Sequence, residues 1–273
     1  MRAPDELARL VETSLQELAL QPALGDLREP IRYALGGGGK RIRPVICLAT
    51  TEAAGGRVER ALPGALGLEL VHTFSLVHDD LPAMDDDDER RGRPSLHVAF
   101  GEGVALLAGD ALLAEALNLA LDDGRAEPVR ELAEAALGMI GGQYLDITRA
   151  DVALEDLHRL KTGRLFAAAV GLGLWAADVP APEQAPWRAF GEELGVLFQA
   201  VDDVIDGDGY AAALGADGAR GVATDAAQRA HARLGMLDAD TTVLADLAEI
   251  AKEVEVELAK ARARADVPAD AQP

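Results

Sequence analysis

The stretch Leu70-Val71-His72-Thr73-Phe74-Ser75-Leu76-Val77-His78-Asp79-Asp80-Leu81-Pro82-Ala83-Met84-Asp85-Asp86-Asp87-Asp88 decides how the chain is read. It begins as an apolar helical pattern and ends in a dense run of carboxylates. Adjacent like charges repel, and packing several against a core is costly unless a cation compensates. A hard divalent ion such as Mg²⁺ takes oxygen ligands, keeps several waters, and is typically held by one or two carboxylates together with a substrate phosphate. An acidic loop free in solvent would need no apolar helix to aim it. This one has such a helix.

A second stretch, Phe198-Gln199-Ala200-Val201-Asp202-Asp203-Val204-Ile205-Asp206, repeats the arrangement. Asp202, Asp203 and Asp206 are spaced i, i+1 and i+4, so they share one helical face while Val201, Val204 and Ile205 turn to the core. Gln199 lies one turn earlier on the polar face. Two Asp-rich segments, each on an apolar helix, suggest a clamp for metal and diphosphate.

Working outward, helical periodicity dominates. Pro4 and Asp5 open a segment in which Leu7, Leu10, Val11, Leu15 and Leu18 follow i, i+3, i+4 spacing. Similar patterns fill residues 45–54, 61–81, 104–121, 129–140, 165–175, 183–205 and 240–260, punctuated by Gly and Pro at 36–39, 55–56, 92–94 and 179–186. No run of β-branched residues alternates long enough for a strand, and no linker divides the chain. The expectation is an all-α bundle in one domain over residues 1–265, with a frayed tail at 266–273.

Composition agrees. Apolar residues make up 49% and aromatics only 4%, a balance rich in the best helix formers, Ala and Leu. The net charge of −21, from 26 basic and 47 acidic residues, excludes a nucleic-acid partner, which needs a basic footprint. Most of that acidity is expected on solvated helix faces. Cys47 is the only cysteine, which rules out an internal disulfide and fits a reducing, cytoplasmic setting. The N-terminus MRAPDELARL has no apolar signal core. The apolar stretch Leu165 to Ala177 is too short and too rich in Gly and Ala to span a bilayer, so no transmembrane segment is expected.

Basic residues are sparse and clustered. Gly36-Gly37-Gly38-Gly39-Lys40-Arg41-Ile42-Arg43-Pro44 places a flexible turn before three cations. A nucleotide P-loop needs Ser or Thr after the Lys and a strand before the first Gly; here Arg41 follows Lys40 and the preceding segment reads as helix. What remains is a cation-lined pocket for a second diphosphate. Arg90 and Arg91 follow the first Asp cluster, and Lys161-Thr162-Gly163 sets a cation beside a hydroxyl.

The segments GGGGKRIRP (36–44), HDDLPAMDDDDERRGRP (78–94), GGQYLD (141–146), KTGRL (161–165) and FQAVDDVID (198–206) together resemble the motifs of the trans-polyprenyl diphosphate synthases, the farnesyl and geranylgeranyl diphosphate synthase family. They occur in that family's order and cover roughly Gly36 to Asp206. The resemblance implies an isoprenoid synthase-type helical bundle around a deep central cavity. It also implies a magnesium-dependent prenyltransferase that joins isopentenyl diphosphate to an allylic diphosphate, dimethylallyl or geranyl, head to tail.

Carried over residue by residue, it implies that Asp79, Asp80 and Asp85 bind Mg²⁺ from one wall and Asp202, Asp203 and Asp206 from the other. About three ions would neutralise the leaving diphosphate. Arg90, Lys161, Thr162 and Gln199 would touch the allylic diphosphate. Lys40, Arg43, His72 and Arg91 would hold isopentenyl diphosphate. Gln143 and Asp146 match the family's Gln-x-x-Asp on a helix facing the cavity. The family is usually homodimeric.

Phe74 and Ser75, the fifth and fourth residues before Asp79, fall a turn or slightly more below the metal site and would limit product length. With the two extra residues in DDLPAMD, this resembles the bacterial farnesyl synthase pattern, and a C15 product is expected over C20. The chain departs from the family after Asp206: the usual Gly-Lys-x-Thr element is missing, and no lysine lies between Lys161 and Lys252. Three rivals are weighed: a non-catalytic subunit of a heteromeric synthase, a terpene cyclase, and an acidic Mg²⁺-binding protein. The six aspartates argue against the first and GGGGKRIRP against the second. His97, His158 and His231 read as packing or surface residues.

Overall fold

The computed structural model describes residues 1–148 and 151–249. In chain order the first helices are α1 (Pro4–Gln16), α2 (Arg28–Leu35), α3 (Ile42–Ala53) and α4 (Val58–Asp79). A hairpin of β1 (Glu89–Arg90) and β2 (Arg93–Pro94) follows, then α5 (Leu96–Phe100), α6 (Glu102–Ala120) and α7 (Ala126–Ile147). After α8 (Leu154–His158) a single π turn, Arg159–Gly163, leads into α9 (Arg164–Ala176), α10 (Ala185–Asp206) and α11 (Gly209–Leu234). Residues 242–249 are helical; the rest of the expected 240–260 helix, and the expected tail, lie outside the described residues.

The bundle is arranged around α4. Six consecutive residues from Leu66 to Val71 are buried, so this helix is covered on every side. Its neighbours are α3, α6, α7 and α9, with α1 and α2 touching it near one end. α1 shows the ordinary logic of a covering helix. Pro4 occupies its first turn, the Glu6 carboxylate accepts the Ala3 N–H at 2.9 Å, and Leu7, Val11 and Leu15 form its buried stripe.

Two elements depart from the expectation. Residues 209–234 carry no clear apolar stripe in sequence, yet they form α11, kinked at Gly215 (φ 76°). The buried face of α11 is mostly alanine, and small side chains let it lie close along α10. The strands were also unexpected. Arg91 (φ 55°) and Gly92 (φ 74°) both adopt the left-handed region of a two-residue hairpin turn, pairing Glu89 with Pro94 and Arg90 with Arg93.

α6 is long and apolar enough to cross a membrane, a property the sequence reading did not single out. Here 44% of its apolar window is buried in the bundle against α4, and its buried Glu115 accepts the Gln21 N–H at 2.6 Å.

Candidate active site

α4 and α10 each end at the same place. Asp79, the last residue of α4, and Asp202, near the end of α10, line one cavity of about 590 Å³. Arg43, His72, Gln143, Lys161 and Thr162 also line it around the polar end. Deeper in, Phe74, Leu76, Leu113, Met139 and Leu165 make it apolar, with Ser75 and His78 on the α4 side.

Protein crowds both leading aspartates. Burial pushes the Asp79 carboxyl up to about 6, against the pull of Lys161 and with the push of Asp85. Asp202 keeps access to the cavity, yet burial pushes it to about 6 as well; Arg43 opposes this and Asp206 adds to it. Carboxylates that are costly to ionise and open onto a cavity are suited to a divalent cation. No three acidic or histidine side chains among the described residues surround a single point. Mg²⁺ fits such a site because it takes few protein carboxylates and completes its shell with water and phosphate.

The second carboxylate of each pair turns away from the cavity. Asp80 is 3% exposed and accepts from Arg90 Nε at 3.0 Å, a bond that raises the Arg90 guanidinium above its ordinary range. Asp203 is 1% exposed and accepts from Gln199 Nε2 and from the Tyr210 backbone N–H, each at 2.6 Å. Gly209 makes that last bond possible: a Cβ there would meet Asp203 Oδ2 at 2.2 Å. Of the six expected metal ligands, the structure therefore brings only Asp79 and Asp202 to the cavity wall. Asp85 and Asp206 are exposed and do not line it, though their charges act on Asp79 and Asp202, and Asp80 and Asp203 are occupied by protein donors.

The cations divide as well. Arg41, one of three in GGGGKRIRP, is buried in the core, where its guanidinium bonds Glu69 at 2.6 Å, Glu12 at 2.9 Å and the Leu35 carbonyl at 2.7 Å. Burial works to lower it, but Glu69 and Glu12 outweigh burial and hold it above its usual range. Arg43 points to the cavity, stacks on the Phe166 ring at 4.5 Å, and has a buried Nε without a hydrogen-bond partner. Arg91 donates to the Gly38 carbonyl, tying the hairpin to the glycine turn. Lys40 is exposed and does not reach the wall.

Burial, then Arg43 and Arg91, hold His72 well below the ordinary histidine range, so it is neutral. Burial lowers Arg43 and Arg91 too; the charge of Arg91 adds to the shift of Arg43, and the charges of Arg41 and Arg90 add to that of Arg91. Cations that disfavour one another around a neutral imidazole describe a place for an anion.

Lys161 and Thr162 sit in the π turn, which sequence periodicity gave no sign of; such one-turn bulges are frequent at functional sites. Lys161 Nζ pairs with Asp146, and Thr162 Oγ1 with Gln199, two contacts that join α7, the π turn and α10. The Gln143 Oε1 is buried without a partner. His158, read as a packing residue, does pack edge-on against Tyr210 at 4.8 Å, but it also faces Asp203 at 3.7 Å. His97 bonds Ser95 at 2.9 Å and His231 lies 3.0 Å from Glu249. Arg220, a cation on α11 in the stretch that lacks the Gly-Lys-x-Thr lysine, pairs with Asp217 and does not line the cavity.

An all-helical bundle with two acidic helix ends across one apolar cavity, and a cluster of cations beside it, defines a helical enzyme class that works on prenyl diphosphates. The polyprenyl synthetase family model matches residues 25–230, and the chain belongs to that family of prenyltransferases. It is 41% identical over 216 residues to a geranylgeranyl diphosphate synthase of Cyanophora paradoxa, covering 74% of this chain and 72% of that one. It is 42% identical over 198 residues to the farnesyl diphosphate synthase of Bacillus subtilis, covering 67% of each. Its fold matches the solved geranyltransferase of Legionella pneumophila with a TM-score of 0.81 at 30% identity, over 93% of this chain and 96% of that one. The matched stretch spans 60% of the length of two chloroplast geranylgeranyl synthases, from Arabidopsis thaliana and Catharanthus roseus.

Proposed function

We propose that this protein condenses isopentenyl diphosphate with an allylic diphosphate, head to tail, in a Mg²⁺-dependent reaction. The observation that carries this is Asp79 and Asp202 lining one cavity with an apolar depth, beside an anion-shaped cluster of cations. Asp79 and Asp85 from one side, and Asp202 and Asp206 from the other, would hold Mg²⁺. Bound Mg²⁺ would supply charge neutralisation for the departing diphosphate.

The chain's own groups divide the remaining work. Lys161, Thr162 and Arg90 orient the allylic diphosphate, with Gln199 holding the Thr162 hydroxyl in place. Arg43, Arg91 and neutral His72 take the second diphosphate; Lys40, at the surface beside them, adds its charge to the approach. Leu76, Leu113, Met139 and Leu165 keep water from the allylic cation. The proton lost after carbon–carbon bond formation goes to an oxygen of the departing diphosphate.

For the product, we favour C15 farnesyl diphosphate, with Phe74 as the cavity floor; the alternative is C20, the product named for several relatives. Phe74 is 7% exposed and lines the cavity below Asp79, which supports the shorter product. The test is incubation with isopentenyl diphosphate plus dimethylallyl or geranyl diphosphate, with and without Mg²⁺, followed by chain-length analysis. Turnover without Mg²⁺ would remove the metal reading. Phe74→Ala that yields no longer chains than the parent would remove the floor.

We also propose a homodimer. Leu106 and Leu107 on α6, with Leu137, Tyr144 and Ile147 on α7, are each 47–68% exposed, Tyr144 and Ile147 at the cavity wall, and a second copy would cover these apolar side chains. Light scattering on the purified protein tests it. A cytoplasmic location is proposed on the lone, buried Cys47, whose thiol burial pushes far up. We read residues 1–265 as one domain, supported by packing that links each helix from α1 to α11 to its neighbours without a break.

A further inference from the structure

His78 precedes the first metal-site aspartate, but its ring lies toward α6, where Nε2 is 4.0 Å from the Asp110 carboxylate. Its Nε2 lies 3.0 Å from the Leu106 carbonyl of α6, and because a carbonyl only accepts, that nitrogen carries the proton. On the same side the ring is seated on Gly109: a Cβ there would meet Nε2 at 2.1 Å and Cδ2 at 2.3 Å. On its other edge the ring meets Phe74, with centroids 5.0 Å apart and planes at 77°. His78, Phe74 and Leu113 all line the apolar depth of the cavity.

We propose that His78, seated on Gly109, is a positioning residue for product length: it wedges Phe74 into the path of the growing prenyl chain. This rests on the prenyl transfer proposed above and names the device that would stop it. A helical Phe has more than one allowed staggered rotamer, so a floor needs a buttress. His78 supplies one, and Gly109 leaves it just enough room. Removing the ring frees Phe74 to swing aside. Adding a methyl at Gly109 forces the ring off α6, and the open direction is the cavity it already lines.

The two changes therefore act in opposite directions, which general destabilisation would not do. The experiment uses the full chain with isopentenyl diphosphate, geranyl diphosphate and Mg²⁺, and compares product distributions at equal conversion. His78→Ala is expected to shift the main product by at least one C5 unit to longer chains. Gly109→Ala is expected to shift it toward shorter chains, and to have no further effect when combined with His78→Ala, because the clashing ring is gone. If Gly109→Ala does not fold, His78→Ala decides alone, with folding checked by circular dichroism. A parent that consumes isopentenyl diphosphate while His78→Ala gives the parent's products overturns this inference and leaves the activity standing. A parent that makes no prenyl product with Mg²⁺ present overturns both.

Discussion

The backbone nitrogen of Lys161 lies 2.5 Å from where a Cβ on Gly142 would stand, so α7 and the π turn meet backbone to backbone. That contact sets how far the Lys161 ammonium reaches into the cavity. Gly142→Ala must separate the two elements, at a cost of about 1–3 kcal/mol for an overpacked core. A melting temperature lower by about 2–4 °C per kcal/mol is expected for a chain of this size. Turnover should fall on the order of 100-fold, because a displacement near 1 Å in a positioning group is that costly. A variant with parental turnover would show that the π turn does not place Lys161 for reaction.

The raised carboxyls predict a pH dependence. Asp79 and Asp202 have an ordinary value of 3.8 and stand at about 6 in the folded chain. Between those values the folded protein binds protons that the unfolded chain has released. Stability of the metal-free protein therefore falls as pH rises through that window, and the full penalty is present above about 6. Mg²⁺ with inorganic diphosphate needs the ionised forms, so its stabilising shift in melting temperature should be large at neutral pH and vanish toward pH values near 4. Equal shifts at both ends of the range would contradict the assignment of these two aspartates.

Asp80 holds Arg90 rather than facing the cavity, and this separates two kinetic outcomes. Asp80→Asn keeps the shape and weakens the grip on the guanidinium. KM for the allylic diphosphate is expected to rise more than KM for isopentenyl diphosphate, with a smaller drop in kcat than Asp79→Asn produces. Matching kcat losses in the two variants would mean that Asp80 ligates metal directly.

Arg41 and Glu69 form a buried pair, with side chains 3% and 4% exposed. Removing Glu69 leaves the buried guanidinium with only the half-exposed Glu12 carboxylate as a charged partner. Glu69→Ala should cost about 3–5 kcal/mol, read as a fall in the midpoint of urea unfolding. A cost below about 1 kcal/mol would mean that solvent reaches Arg41 when Glu69 is gone.

Much of the site was legible because chemistry concentrates residue types. Runs such as Asp85 to Asp88 just after one apolar helix, or Asp202-Asp203-Val204-Ile205-Asp206 at the end of another, have no ordinary structural purpose, and the segments from Gly36 to Asp206 carry the family's motifs in order. What sequence left undivided was the role of each member. In GGGGKRIRP, Arg41 is a core strut and Arg43 a cavity group, two residues apart; only the left-handed backbone at Arg41 (φ 51°) and the position of Glu69 on α4 separate them. The π turn at Lys161 and the alanine-faced α11 escaped because neither has a periodic apolar signal.

Sequence by itself determined the helical class, the two acidic helix ends and their family, since those follow from local periodicity and from residue types grouped within a few positions. Tertiary structure alone decided which aspartate of each pair faces the cavity, which arginine is buried, and that His78 leans on Gly109 some thirty residues away. The reason is physical: a side chain's direction along a helix follows from spacing, but what fills the space opposite it depends on elements distant in the chain.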